Sequence, residues 1–154
     1  MNATATAAGS PHILLVEDNE DDVILVQRSL RKAGVTAPVN VVRDGDEAIT
    51  FLGGAADAAQ PPALVLLDLK LPRRNGLEVL AWIRAHPGLS ALPVVMFTTS
   101  TQDADVGEAY RLGANSYLKK PATMQETTEL LRTTGLYWLV HNVRSPAQGN
   151  GERR

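Results

Sequence analysis

The 154-residue chain contains no cysteine. That excludes disulfides, thiolate metal sites and thiol catalysis, and it suits a reducing cytosol. Charge of one sign is also lacking: a net charge of −2 offers no electrostatic ground for binding nucleic acid or an anionic membrane. No apolar run approaches the ~20 residues of a membrane span. Residues 1–10, rich in Ala and Thr, lack the basic and apolar regions of a secretory signal. No internal repeat is found, and His12, His86 and His141 fall at no metal-binding spacing. The expectation is a cytoplasmic protein with no nucleic-acid and no membrane partner. With 44% hydrophobic residues the chain can build one domain with a substantial core, but not two. That domain is expected over residues 12–144, between disordered tails at 1–11 and 145–154.

What the chain does contain is a set of apolar runs that stop at polar residues. Residues 63–67, Ala-Leu-Val-Leu-Leu, read as a buried strand, and Asp68 follows at once. A carboxylate there needs partners or a chemical task. Residues 12–16 behave alike, passing from an apolar run into Glu17-Asp18-Asn19. Strands are expected at 13–17, 39–42, 64–67, 92–97 and 116–118. Helices are expected at 20–33, 44–52 (stopped by Gly53-Gly54), 75–85, 103–112 and 124–141. Strand–helix alternation of this kind predicts an α/β fold, a doubly wound five-stranded parallel sheet with helices on both faces. Ligand sites in such sheets lie outside the carboxyl ends of the strands. There stand Glu17 and Asp18, Asp68, Thr98 and Thr99, and Lys119-Lys120-Pro121.

Crowded carboxylates resist ionisation unless a cation sits among them. An oxygen-only donor set favours a hard cation such as Mg²⁺, which pairs carboxylates with phosphate oxygens. A carboxylate can also attack phosphorus to form an acyl phosphate. In this reading Glu17 and Asp18 hold Mg²⁺, Lys120 neutralises the transferring phosphoryl group, and Thr98 bonds a phosphate oxygen after transfer.

Four segments, Leu-Val-Glu17-Asp18-Asn19, Asp68-Leu-Lys-Leu71-Pro72-Arg-Arg-Asn75-Gly76, Val-Val-Met-Phe-Thr98-Thr99-Ser100 and Tyr117-Leu-Lys-Lys120-Pro121, stand in order along the folded region. In these the chain resembles the receiver domain of two-component response regulators. The resemblance implies a flavodoxin-like fold with strand order 2-1-3-4-5 and makes Asp68 the phosphoacceptor. It implies Mg²⁺ held by Asp18, Asp68 and the backbone carbonyl of Lys70, with Glu17 acting through water. Lys120 would pair with the phosphoryl group, the Lys120–Pro121 bond would be cis, and Thr98 and Tyr117 would form the switch that alters the face of the fourth helix, fifth strand and fifth helix.

Glu17 replaces the more frequent Asp, Leu71 stands where Met is common, and Thr99 is bulkier than the usual Ala or Gly, which narrows access to the phosphoryl group. Lys70 and Ser100 sit where acyl-phosphate lifetime is tuned in this family.

Other residues carry plainer readings. Asn19 caps the first helix, Asp21 and Asp22 form its solvated first turn, Lys119 points to solvent, and Arg73 and Arg74 are exposed loop. In the last helix Thr127, Leu130, Leu131, Thr134 and Trp138 form an inward stripe, while Leu136, Tyr137, Leu139 and Val140 extend the apolar surface. Those extra residues suit a homodimer through the fourth and fifth helices. The acidic opening 17–22, the 97–100 segment and the Tyr137-Trp138-Leu139 ending resemble small regulators paired with bacterial phytochrome kinases.

The expected function is therefore a single-domain regulator, not a turnover enzyme, phosphorylated on Asp68 by a sensor histidine kinase. The alternatives are a phosphorylation-independent interaction module and an intermediate carrier in a phosphorelay. An Asp-nucleophile phosphatase is disfavoured because Lys70 stands where a second Asp is needed, and a flavin carrier because Glu17-Asp18 would repel the flavin phosphate.

Overall fold

The structure, a computed structural model, describes residues 10–146. Most of the two expected tails therefore lies outside the described residues. Five short strands, β1 (Ile13–Val16), β2 (Val39–Val42), β3 (Leu64–Leu67), β4 (Val94–Thr98) and β5 (Ser116–Lys119), alternate with five helices. These are α1 (Glu20–Lys32), α2 (Gly45–Asp57), α3 (Gly76–Ala85), α4 (Asp103–Arg111) and α5 (Met124–Gly135). All strand pairings are parallel, in the order β2-β1-β3-β4-β5, as expected.

Strand side chains alternate between faces, and each face has its own core. Leu14, Val16, Val65, Leu67, Val94 and Met96 meet α2, α3 and α4 residues such as Leu52, Leu80 and Ala109. Ile13, Leu15, Leu64, Leu66, Val95 and Phe97 meet Val23, Val26 and Leu30 of α1 and Leu131 of α5. The central strands β1 and β3 are buried at every position, which is why they read as continuous apolar runs. Each such side chain contributes about 1.5–3 kcal/mol relative to exposure.

Side-chain caps start four of the helices. Asn19, Asp44, Asn75 and Thr123 each accept a hydrogen bond from the backbone N–H three residues on, and Glu78 completes a capping box at α3. Gln102, before α4, makes no such bond.

Several boundaries differ from expectation. Helix α2 runs through Gly53-Gly54 to Asp57, because two helical glycines cost about 1 kcal/mol each but do not block the hydrogen-bond ladder. Strand β4 begins after Pro93, which has no N–H to give. The last helix is not continuous: α5 ends at Gly135 and residues Leu136–His141 form a π-helical segment. A Cβ on Gly135 would lie 2.8 Å from Val35 Cγ2, so the glycine lets α5 approach the chain after α1. The wider segment brings Trp138 and Leu139 onto the α1/α5 core and leaves Leu136, Tyr137 and Val140 exposed. The inward stripe stands, with Thr127, Leu131 and Thr134 buried and Leu130 and Trp138 packed against the core. No helix among the described residues is long and apolar enough to cross a membrane.

Candidate functional site

The site is assembled by register. Val16 pairs with Leu67 across β1 and β3, so the residues that follow, Glu17 and Asp68, emerge side by side at the carboxyl edge. Thr98 pairs with Lys119 across β4 and β5, and the Lys120 N–H then donates to the Thr98 carbonyl at 2.8 Å. Strand alternation leaves Lys119 exposed and turns Lys120 inward, where its side chain is only 10% exposed.

Asp68 and Glu17 are buried while Asp18 is exposed. One Asp68 oxygen, Oδ1, accepts from the Leu69 N–H at 2.7 Å, and Oδ2 lies 3.2 Å from Lys120 Nζ. The ammonium also contacts Glu17 Oε1 at 2.7 Å and Asp22 Oδ2 at 3.0 Å, using all three of its N–H donors. It lies 5.9 Å from the centre of the Phe97 ring. Glu17 Oε2 accepts from the Asn19 N–H.

Burial, followed by the nearby Asp68 charge, pushes Glu17 up to about 7 against the pull of Lys120. Burial works against the Lys120 ammonium too, but the Glu17 hydrogen bond and the charge of Asp68 outweigh it and hold its pKa above the usual lysine range. Lys120 is therefore a fixed cation. Glu17, Asp18 and Asp68 each offer an oxygen, all within 4.8 Å of one another. Three close oxygen donors with no His or Cys fit a hard divalent cation.

The β3–α3 loop holding Lys70 is pinned at its far end. Arg73 pairs with Asp44 at 3.4 Å, Arg74 with Asp46 at 2.7 Å, and the Gly45 N–H reaches the Pro72 carbonyl. These arginines are exposed, as expected, but they tie the loop to the start of α2. Gly76 closes the loop from the other side. A Cβ there would lie 2.2 Å from the Asp68 carbonyl oxygen.

Thr98 is buried, and Thr99 is exposed beside Lys120 in a shared cleft. Thr98 and Tyr117 both engage Ser100: Thr98 Oγ1 accepts from the Ser100 N–H at 3.4 Å, and the Tyr117 hydroxyl donates to the Ser100 carbonyl at 2.9 Å. Ser100 Oγ in turn donates to Asp105 of α4 at 2.5 Å. Burial raises the Tyr117 pKa, so its hydroxyl stays a donor.

Two readings from the sequence need correction. Asp22 is not merely a solvated first turn but a direct partner of Lys120, because the start of α1 folds back over the strand end. No cis peptide bond occurs among the described residues; the Lys120–Pro121 bond is trans, the form a prolyl amide favours by about 0.5–1 kcal/mol. The plain readings of Asn19 and the histidines stand. His12 bonds Asn40 and the Gln60 carbonyl, His86 packs on Trp82, and His141 is exposed.

The response regulator receiver domain matches residues 13–132. The chain belongs to the response-regulator receiver family. This receiver is 41% identical over 138 residues to the probable methanogenesis regulatory protein FilR2 of Methanothrix harundinacea, across 87% of the chain and 86% of that relative. It is 39% identical over 129 residues to response regulator Rcp1 of Synechocystis, across 82% and 88% respectively. Among solved structures, the phosphorylated cyanobacterial phytochrome response regulator RcpA superposes with a TM-score of 0.80 at 36% identity, covering 88% of the receiver and 99% of that chain. The Mn²⁺-bound form of Rcp1 gives 0.78 at 36% identity over the same shares.

Proposed function

We propose that the receiver accepts a phosphoryl group on Asp68 from the phosphohistidine of a sensor kinase. The observation that carries this reading is the setting of Asp68: a buried carboxylate with Oδ1 fixed by the Leu69 N–H, Oδ2 facing Lys120, and Glu17 and Asp18 within 4.8 Å. An Asp68 oxygen attacks phosphorus, the bond from phosphorus to the imidazole nitrogen breaks, and the imidazole keeps the electron pair. Lys120, cationic throughout, supplies counter-charge to the transferred oxygens. The donors suit Mg²⁺, with Asp18, Asp68 and the Lys70 carbonyl as ligands and Glu17 through water; when bound, Mg²⁺ supplies further positive charge beside the phosphoryl oxygens. The protein's own group carries the product, so the receiver acts as a phosphoacceptor and not as a turnover enzyme.

The output runs through Thr98 and Tyr117. Their shared contact with Ser100, itself bonded to Asp105 of α4, supports a route from the acyl phosphate to the face of α4, β5 and α5. Similarity to Rcp1 and RcpA supports a phytochrome-type kinase as the donor, and therefore a cytoplasmic setting. The exposed Leu136, Tyr137 and Val140 beside α5 support a homodimer through α4 and α5.

The test is intact mass after incubation with acetyl phosphate and Mg²⁺. One phosphoryl group should add to the wild type and none to Asp68→Asn; an unlabelled wild type, or a labelled variant, refutes the assignment. In a second arm, transfer from a phytochrome kinase should differ between red and far-red light, and equal refusal in both counts against that donor.

A further inference from the structure

Lys120 carries one carboxylate more than its proposed task requires. Glu17 and Asp68 belong to the phosphorylation site, whereas Asp22 comes from the first turn of α1 and reaches Nζ at 3.0 Å from outside. Each of the three ammonium donors already has an acceptor, so Lys120 can bond an incoming phosphoryl oxygen only by releasing one of them. The three acceptors are not equally costly to release. Glu17 has the shortest contact and a side chain that is 1% exposed, so bulk water does not readily replace Lys120 there. Asp68 is the nucleophile. The Asp22 side chain is 35% exposed, so water can replace Lys120 there at little cost. Asp22 lines a cleft with Thr99 and Lys120, and because one ammonium touches both Asp22 and Asp68, its negative charge lies close to any anionic group that reaches Asp68.

We infer that Asp22 is an electrostatic gate on the phosphorylation site. It holds Lys120 while Asp68 is free, repels anionic phosphodonors, and gives up its hydrogen bond to the phosphoryl group as that group arrives. Asp22 is a positioning residue, acting through Lys120. The inference rests on the phosphoacceptor assignment of Asp68. With acetyl phosphate as donor, an Asp68 oxygen bonds to phosphorus, the phosphorus–oxygen bond to the acetyl group breaks, and acetate leaves with the electron pair. No proton is gained or lost by Lys120.

The experiment is the rate of acetyl-phosphate labelling in saturating Mg²⁺, followed by intact mass, for wild type, Asp22→Asn and Asp22→Glu. Neutralising Asp22 removes one partly exposed charge, so KM for acetyl phosphate should fall about two- to fivefold. Added salt should lower KM in the wild type by screening Asp22, and this effect should shrink in Asp22→Asn. Asp22→Glu keeps the charge and should behave as wild type, which a merely structural role for the helix turn would not require. An unchanged or raised KM in Asp22→Asn, or an Asp22→Glu variant that behaves like Asp22→Asn, overturns the gate while leaving Asp68 as acceptor. A wild type that never labels overturns the underlying assignment and the gate with it.

Discussion

Two glycine-to-alanine substitutions should change stability in opposite directions. At Gly76 an added Cβ would sit 2.2 Å from the Asp68 carbonyl oxygen and 3.0 Å from Leu69 Cα. Close carbon–oxygen contacts settle at about 3.3 Å, so the start of α3 must retreat by roughly 1 Å from the end of β3. Both sides are backbone, so no side chain can rotate away. Overpacking of this sort costs about 1–3 kcal/mol, and strain on the 2.8 Å bond from the Gly76 N–H to the Leu69 carbonyl adds up to ~1 kcal/mol. The smaller conformational entropy of unfolded alanine offsets about 0.4–1 kcal/mol. A net loss of about 2 kcal/mol corresponds to a Tm lowered by about 4–8 °C in a chain of this size. At Gly54, inside α2, an added Cβ meets nothing within 4 Å, and the helix gains up to about 1 kcal/mol, or roughly 2–4 °C. Calorimetry of the two variants beside the wild type measures both. Gly76→Ala should also label more slowly with acetyl phosphate, since its strain falls on Asp68. A Gly76→Ala Tm within a degree of wild type, or a shift of the same sign in both variants, would refute the reasoning.

The remaining predictions concern charge and surface. In metal-free protein the carboxyl of Glu17 titrates near 7 against an ordinary 4.5. The folded state thus holds that proton more tightly, and the stability so contributed, on the order of 3 kcal/mol, is complete below pH ~4.5 and lost as pH rises through about 7. In EDTA, Tm should therefore fall more between pH 5 and 8 in wild type than in Glu17→Gln, and parallel curves would contradict the burial of that charge. For the surface, Tyr137→Asp should shift a dimer toward monomer in sedimentation, with Tm within a few degrees of wild type because Tyr137 is half exposed; an unchanged mass distribution argues against α5 as the interface.

The site was legible because its chemistry is written as interruptions. Asp68 and Glu17 end apolar strands, and a parallel sheet brings such ends together whatever the intervening loops contain. Strand alternation separates Lys119, which faces solvent, from Lys120, which faces the site. Asp22 was not legible, because an acidic first turn already has a sufficient explanation in the helix dipole, and nothing in residue order shows how far α1 leans toward β5. Gly53-Gly54 misled for a related reason: glycine weakens a helix but stops it only where the backbone must turn. The change from α to π geometry after Gly135 lies in hydrogen-bond spacing, and an apolar stretch such as 136–140 has the same composition in either form.

Arg84 near the end of α3 has consequences for how α4 is held. Its guanidinium, whose pKa burial lowers without removing the charge, donates to the carbonyls of Gly113, Leu92 and Ser90 and to the Asn115 side chain. The chain just after α4 is thus riveted to α3 by a cation whose release would strip several charge-assisted hydrogen bonds. The opposite end of α4 has no side-chain cap at Gln102 and is held through Ser100 Oγ, which accepts from the Gln102 N–H and donates to Asp105, the latter bond worth about 1.5–3 kcal/mol because its acceptor is charged. The two ends of α4 are therefore held unequally. A displacement of Ser100, next to Thr98, bears on the less anchored end of α4 through Asp105 and on β5 through the Tyr117 hydroxyl.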